Sequence, residues 1–215
     1  MQKGLTELVF ILDKSGSMAG LEGDTIGGFN SMLKKQKAEA GQCRVTTVLF
    51  DHRYTLLHDR IDIRAVSPMT EKEYFVGGST ALLDAIGRTI RKIADVQRST
   101  AEAYRAEKVI FIIITDGAEN SSREYSADEV KKLISKEKER YGWEFLFLGA
   151  NIDAVETAGR FGISADRAAE YVPDAKGTAL NYAAMCDAVS EFRSSGILSS
   201  RHMDRIRKDR ETRGR

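Results

Sequence analysis

The chain has 215 residues, of which 42% are hydrophobic and 30% charged, and its formal net charge is +1. This length is enough to bury one hydrophobic core, and the near-zero charge argues against a polyanion-binding surface and a nucleic-acid partner. No apolar stretch approaches the length of a signal peptide or a membrane span, so the sequence predicts a cytoplasmic protein without membrane association.

Apolar runs alternate with amphipathic segments in the first half of the chain. The run LVFIL at 8–12 predicts a strand that is covered on both faces, and apolar residues at helical spacing within 21–40 predict a helix. Residues 43–61 are rich in β-branched and aromatic residues around the polar break DHRY, which predicts a hairpin of two antiparallel strands. Residues 81–97 place their isoleucines on one helical face and predict the second helix.

The second half of the chain continues the alternation. Residues 108–115, KVIFIIIT, form the most apolar run and predict a central strand. Residues 126–142 begin with the capping-box pair Ser126 and Glu129 and end at Gly142, which predicts a helix. Four further elements are predicted: strand 144–150, helix 153–162, strand 168–172 and helix 175–193.

This order of elements predicts an α/β fold. We expect a doubly wound, mainly parallel sheet of about six strands, with one antiparallel edge strand from the hairpin and helices on both faces. Residues 1–195 are expected to form one domain, and residues 196–215 a basic tail. We expect this tail to be a solvated helix, in preference to a helix that contacts nucleic acid or an acidic partner. Cys43 and Cys186 are expected to be reduced and buried, because two cysteines make neither a disulfide framework nor a thiolate metal cluster.

Three predicted loops at one end of this sheet carry oxygen-bearing side chains. In such sheets ligands bind outside the carboxyl ends of the strands, where these loops meet. Two carboxylates and three hydroxyls, without His or Cys, form a set of hard ligands that suits Mg²⁺ or Mn²⁺ rather than Zn²⁺. The candidate metal ligands are Asp13, Ser15, Ser17, Thr80 and Asp116.

The motifs that contain these residues carry a family resemblance. D-x-S-x-S at 13–17, G-G-x-T at 77–80 and T-D-G at 115–117 resemble, in type and order, the motifs of the von Willebrand factor type A (VWA) domain. The resemblance covers roughly residues 5–195. It implies a doubly wound α/β fold with a metal-ion-dependent adhesion site, in which the five candidate residues hold Mg²⁺ or Mn²⁺.

The resemblance also implies a function without catalysis. A partner protein would supply a Glu or Asp carboxylate to an open coordination position of the metal. Specificity would come from the surrounding loops at 18–24, 76–80 and 117–126. Lys14 lies within the first motif and is expected to alternate away from the ligand face, towards solvent.

Other interpretations of the same residues stay open. Asp13, Ser15 and Ser17 are also common turn residues, and Thr80 could cap the helix that follows it. The main alternative function is a Mg²⁺-dependent aspartyl-phosphate phosphohydrolase with Asp13 as nucleophile, although Ser15 stands where that chemistry usually places a second acid. A serine hydrolase is disfavoured because the residues around Ser17 do not form a G-x-S-x-G turn.

Overall fold

A single mixed sheet forms the centre of the computed structural model, which describes residues 1–213. Its strands are β1 (Gln2–Asp13), β2 (Gln42–Phe50), β3 (Tyr54–Asp62), β4 (Ala106–Thr115), β5 (Glu144–Gly149) and β6 (Ala168–Glu170). The spatial order is β3-β2-β1-β4-β5-β6, and every neighbouring pair is parallel except β2 and β3. The predicted parallel sheet with one antiparallel edge strand is therefore confirmed.

Six helices cover the two faces of this sheet. They are α1 (Glu22–Lys37), α2 (Leu82–Ser99), α3 (Ala127–Tyr141), α4 (Ala154–Arg160), α5 (Ala175–Ser195) and α6 (Arg201–Arg213). Helices α1, α5 and α6 pack on one face, and α2, α3 and α4 pack on the other. Among residues 1–213, no helix is long and apolar enough to cross a membrane.

The strand β1 shows how the sequence builds both layers. Side chains of a strand alternate between the two faces of a sheet. Leu8, Phe10 and Leu12 accordingly pack towards α1 and α5, whereas Val9 and Ile11 pack towards α2 and α3. All five are buried. A strand buried on both faces reads as a continuous apolar run, which is the pattern that the sequence shows.

Two polar side chains of the sheet form a buried ion pair. Glu7 on β1 is fully buried, and Arg60 on β3 donates from Nε and Nη2 to its carboxylate at 3.0–3.1 Å. Burial raises the pKa of Glu7, and the Arg60 guanidinium opposes that rise. The backbone of Arg60 has a φ of +51°, in a segment where the β2–β3 register shifts opposite Thr46. This bulge directs the guanidinium towards Glu7.

The segment expected to be a solvated tail forms α6, which packs on α5 and β6. His202, Met203 and Ile206 are buried. Arg207 Nη2 donates to the carbonyl oxygen of Ala168 on β6 at 2.7 Å. The expectation of a solvated helix is therefore wrong for this face of α6. Its three buried side chains lie within about one helical turn of each other and pack against the domain.

The cysteines and one histidine extend the core. Cys43 and Cys186 are free and buried, as predicted. His58 is buried as well, with its ring stacked on Phe29 at a centroid distance of 6.4 Å. Burial lowers the pKa of His58, which favours its neutral form in this packed position.

Candidate metal centre

The three motifs meet at the carboxyl ends of two adjacent strands. Asp13 is the last residue of β1, and Asp116 follows the last residue of its neighbour β4. Thr80 lies two residues before α2 begins at Leu82. Strands that lie side by side and run parallel end at the same edge, so the fold brings both carboxylates and the threonine together.

Hydroxyl oxygens form a contiguous chain in this site. Thr80 Oγ1 donates to Ser15 Oγ at 3.0 Å, and Ser15 Oγ lies 3.1 Å from Ser17 Oγ. Asp13 lies beside them, because its Oδ1 accepts from the backbone N–H of Ser15 at 2.7 Å. Its Oδ2 accepts from the hydroxyl of Thr115 at 2.6 Å. Four of the five predicted residues are thus linked directly.

Asp116 joins the cluster through its loop. Its Oδ1 accepts a short hydrogen bond from Asn151 Nδ2. The following residue, Gly117, lies so close to the hydroxyls that an added Cβ would stand 2.9 Å from Ser17 Oγ and 3.4 Å from Thr80 Oγ1. A side chain at position 117 would therefore push into the space shared by the three motifs.

The two carboxylates carry poorly compensated charge. Burial raises the pKa of Asp13, while hydrogen bonds from Thr115 and Ser15 oppose the rise. Burial also raises the pKa of Asp116, to about 6, and the nearby charge of Asp13 contributes to this shift. A divalent cation between the carboxylates would offset both the desolvation and the mutual repulsion.

Backbone contacts join the first two loops. Gly16 N donates to Gly78 O at 3.0 Å, and Gly77 N donates to Lys14 O at 2.9 Å. Gly78 has a φ of +77°, and an added Cβ would stand 2.3 Å from His52 Nδ1. Position 78 therefore requires glycine both for its left-handed backbone and for its space.

Lys14 does not face solvent as the alternation predicted. Its side chain is 6% exposed, and its Nζ lies 3.4 Å from Asp51 Oδ2. The Lys14 backbone N–H still bonds to Phe50 O, so the residue stays beside β2 and its side chain reaches the acid that follows that strand. Phe75, which is 60% exposed, covers the Lys14 ammonium at 4.3 Å from its ring centroid.

The third loop caps α2 and leaves Thr80 free of that role. Glu119 accepts from the backbone N–H of Leu83 at the start of α2 at 2.9 Å. Thr80 instead donates its N–H to Asn120 Oδ1 at 2.9 Å, and its hydroxyl contacts Ser15. The alternative interpretation of Thr80 as the helix cap is therefore wrong, because Glu119 satisfies the exposed end of the helix.

Sequence reasoning missed several of these supporting residues. Thr115 was part of the T-D-G motif without an assigned role, although it holds Asp13. Asn151 follows β5, and Glu119 and Asn120 lie in the third loop. No local pattern marks them, since their contacts depend on which strands become neighbours.

The donor set fits a hard divalent cation. The converging groups are two carboxylates and three neutral hydroxyls, which are ligands that Mg²⁺ and Mn²⁺ accept. Within residues 1–213 there is no cluster of three His, Cys, Asp or Glu side chains that could hold a metal. A cation at this site would therefore depend on the hydroxyls as well as on the two carboxylates.

Comparison with solved structures identifies the fold. A von Willebrand factor type A protein from Catenulispora acidiphila aligns with a TM-score of 0.58 at 15% identity, over 86% of this chain and 42% of that chain. This chain has the VWA fold. The manganese-loaded TRAP protein of Plasmodium vivax aligns with a TM-score of 0.52 at 22% identity, over 69% of this chain and 58% of that one.

A third similar structure is proximal thread matrix protein 1 from the mussel byssus, with a TM-score of 0.57 and 15% identity over 87% of this chain and 46% of that one. The same byssus protein has also been solved with a zinc-occupied MIDAS motif, the metal-ion-dependent adhesion site. The chain described here thus spans about half the length of these proteins. A scan against protein-family models and a search of curated proteins gave no match.

Proposed function

We propose that this VWA domain is a non-enzymatic, metal-dependent protein-binding module. Mg²⁺, or Mn²⁺, would be held by Asp13, Ser15, Ser17, Thr80 and Asp116. The observation that carries the proposal is a chain of three contacting hydroxyls beside two buried carboxylates at the carboxyl ends of β1 and β4. Manganese and zinc in similar VWA structures support divalent-metal binding at such a site.

Charge balance explains why an acidic partner would suit this site. Two carboxylates neutralise a divalent cation, and the hydroxyls add no charge. A third carboxylate, from a Glu or Asp of a partner protein, is a further hard oxygen ligand that the cation accepts. When bound, the cation would supply the attraction for that carboxylate, while the chain's residues hold and orient the cation.

The surface beside the site offers additional contacts. Phe75 is a large exposed aromatic side chain next to the first loop, and the His52 side chain is 45% exposed above Gly78. Aromatic residues near the centre of an interface contribute strongly to binding. We propose that Phe75 packs against the partner around the coordinating acid. Free, buried cysteines favour a reducing, cytoplasmic setting. The formal net charge of +1 favours neither a nucleic acid nor an anionic membrane surface as partner.

A divalent cation is expected to stabilise the folded domain. Binding to the native state alone adds RT ln(1 + [L]/Kd) to the free energy of unfolding. At a hundredfold excess of cation over Kd this is about 2.7 kcal/mol, which raises Tm by roughly 5–10 °C. The measurement is thermal unfolding with EDTA, with Mg²⁺ or Mn²⁺, and with a monovalent salt of matched ionic strength. Asp13→Ala should abolish the shift, whereas Asp128→Ala, at an exposed carboxylate on α3, should retain it. An unchanged Tm in the wild type would contradict the proposed site.

Thr80→Ala is expected to separate metal binding from partner binding. The hydroxyl is a neutral ligand, so most metal affinity should remain with the two carboxylates and the serines. Partner capture should fall tenfold or more, about 1.4 kcal/mol, if the threonine responds to the incoming acid. The partner is first isolated as a protein that the wild type retains from lysate in Mg²⁺ and releases in EDTA. Calorimetry then measures metal binding and, in a second titration, partner binding for wild type and Thr80→Ala. Equal losses in both steps would make Thr80 an ordinary ligand.

The hydrolase alternative has its own readout. Incubation of the Mg²⁺-loaded protein with a generic phosphate ester is expected to give no turnover. Turnover that disappears in Asp13→Asn would instead support an aspartyl-phosphate mechanism.

A further inference from the structure

A cavity lies at the end of the sheet opposite the metal centre. Its volume is about 190 Å³. It is enclosed by the last turns of α2 and α3, by the start of β4 and by the residue before β5. An engineered apolar cavity of about 150 Å³ can hold benzene, so this one is large enough for a small aromatic molecule.

Aromatic and small apolar side chains form much of the cavity wall. Trp143 is buried, and its ring stacks on Phe111 at a centroid distance of 5.6 Å. Ala94 and Val109 add apolar surface, and Tyr141, which is 42% exposed, lies between the cavity and solvent. The packing against Phe111 holds the Trp143 ring in place, so the wall is preformed.

One buried carboxylate in this wall lacks a close charge partner. The Glu137 side chain is 2% exposed, and the one cation within 4 Å among residues 1–213 is Lys136 Nζ, at 3.9 Å on a half-exposed side chain. Of the arginines in the wall, Arg98 pairs with Asp95 and Arg105 donates to the Thr100 carbonyl oxygen. Neither forms an ion pair with Glu137 within 4 Å, although the charge of Arg98 lowers the pKa of Glu137 from a longer distance. A buried carboxylate without a good partner is costly in a folded protein.

A buried amide of the same wall also lacks a partner. Gln97 Oε1 accepts from the backbone N–H of Ala106 at 3.1 Å, but Gln97 Nε2 has no hydrogen-bond partner among the described residues. Buried polar groups in folded proteins are rarely left unpaired, and an exception calls for an explanation such as a ligand or water. Glu137 and Gln97 thus provide an acceptor and a donor in the wall of one cavity, whose lining also includes the charged residues Arg98, Glu102, Arg105 and Glu107.

We propose that this cavity binds a small organic cation, an ammonium group on an apolar or aromatic body, with Glu137 as its ionic contact. The body would lie against Trp143, and Gln97 Nε2 would donate to an oxygen atom of the ligand where one is present. Burial raises the pKa of Glu137, while the charges of Lys136, Arg98 and Arg140 oppose the rise. A cation bound in the cavity would favour the ionised carboxylate further. The site is independent of the metal centre and of the function proposed for it.

The single tryptophan of the chain gives this cavity a specific signal. Trp143 is the only tryptophan in the sequence. Titration with benzylamine, which is protonated at neutral pH, should change Trp143 fluorescence in a saturable way, with a Kd of about 1 mM for a ligand of this size. Benzyl alcohol has a similar shape without the charge, and it should bind at least tenfold more weakly.

Two charge-neutralising variants complete the test. Glu137→Gln should weaken benzylamine binding at least tenfold, whereas Glu139→Gln, at an exposed position on the same helix, should leave it unchanged. If Glu137→Gln does not fold, Ala94→Leu, which fills the cavity, should abolish the fluorescence response. Three results would each overturn the proposal and leave Glu137 a structural residue. They are equal affinity for amine and alcohol, unchanged binding by Glu137→Gln, and the absence of a saturable response at concentrations well above the millimolar range.

Discussion

Arg60→Leu is expected to destabilise the domain by about 3–5 kcal/mol, the cost of leaving one member of a buried ion pair alone. Glu7 is fully buried on β1, and both of its carboxylate oxygens accept from the Arg60 guanidinium. Chemical denaturation in urea measures the loss. Arg64→Leu is the matched control, because Arg64 pairs with Asp62 at the exposed end of the same hairpin and its removal should change stability little.

The loss caused by Arg60→Leu should depend on pH. The folded-state pKa of Glu7 already lies above its ordinary value of 4.5, and removing Arg60 raises it further. The folded chain then binds more protons than the unfolded chain above pH 4.5, so stability falls as pH rises through the folded-state pKa. The variant should therefore be closer to wild type in acid than at neutral pH. Adding Glu7→Gln should recover much of the stability at neutral pH, and no recovery would contradict the pairing.

Ile113→Ala is expected to cost about 2–5 kcal/mol through the cavity it leaves. Ile113 lies on the central strand β4, is fully buried and packs with Val9 and Ile11 of the neighbouring strand β1. Ile112 is equally buried on the other face, and Ile112→Ala should cost a similar amount. Urea denaturation in EDTA measures the change without any contribution from metal.

Ser15→Ala and Ser17→Ala provide the contrast to these core substitutions. In EDTA either serine variant should remain within about 1 kcal/mol of wild type, because it loses hydroxyl contacts in a loop and leaves no large cavity. In Mn²⁺ it should show a smaller increase in Tm than wild type. Serine variants that unfold the domain in EDTA would make these hydroxyls structural, and Ile113→Ala with native stability would contradict the position of β4 in the core.

Much of the fold could be predicted because its signals are local. The continuous apolar runs of β1 and β4 predicted buried parallel strands, and the polar break in the hairpin predicted the antiparallel edge. The capping box of Ser126 and Glu129 is present, and Gly142 ends α3 in a left-handed conformation. Each of these features depends on neighbouring residues in the chain, so sequence alone specifies it.

The predicted site residues come together, but the groups that support them could not be predicted. Asp13, Ser15 and Thr80 lie in motifs with a fixed spacing, whereas Asn151 reaches Asp116 from another strand end. Lys14 was placed wrongly because strand alternation says nothing about an acid on the neighbouring strand. The position of α6 was missed for a related reason: three residues within its charged sequence, His202, Met203 and Ile206, are buried against the domain.

The contacts of α6 and the bulge at Arg60 have a joint consequence for how other proteins can approach the sheet. An edge strand with unpaired backbone groups invites a foreign strand to extend the sheet. On one edge, β6 pairs with β5 over only three residues, and Arg207 donates a hydrogen bond to the Ala168 carbonyl oxygen. On the other, β3 is interrupted by the bulge and bears alternating charges from Asp59 to Asp62. Both features disfavour lateral strand addition, which supports the proposal that a partner protein binds at the loop-bearing end of the sheet.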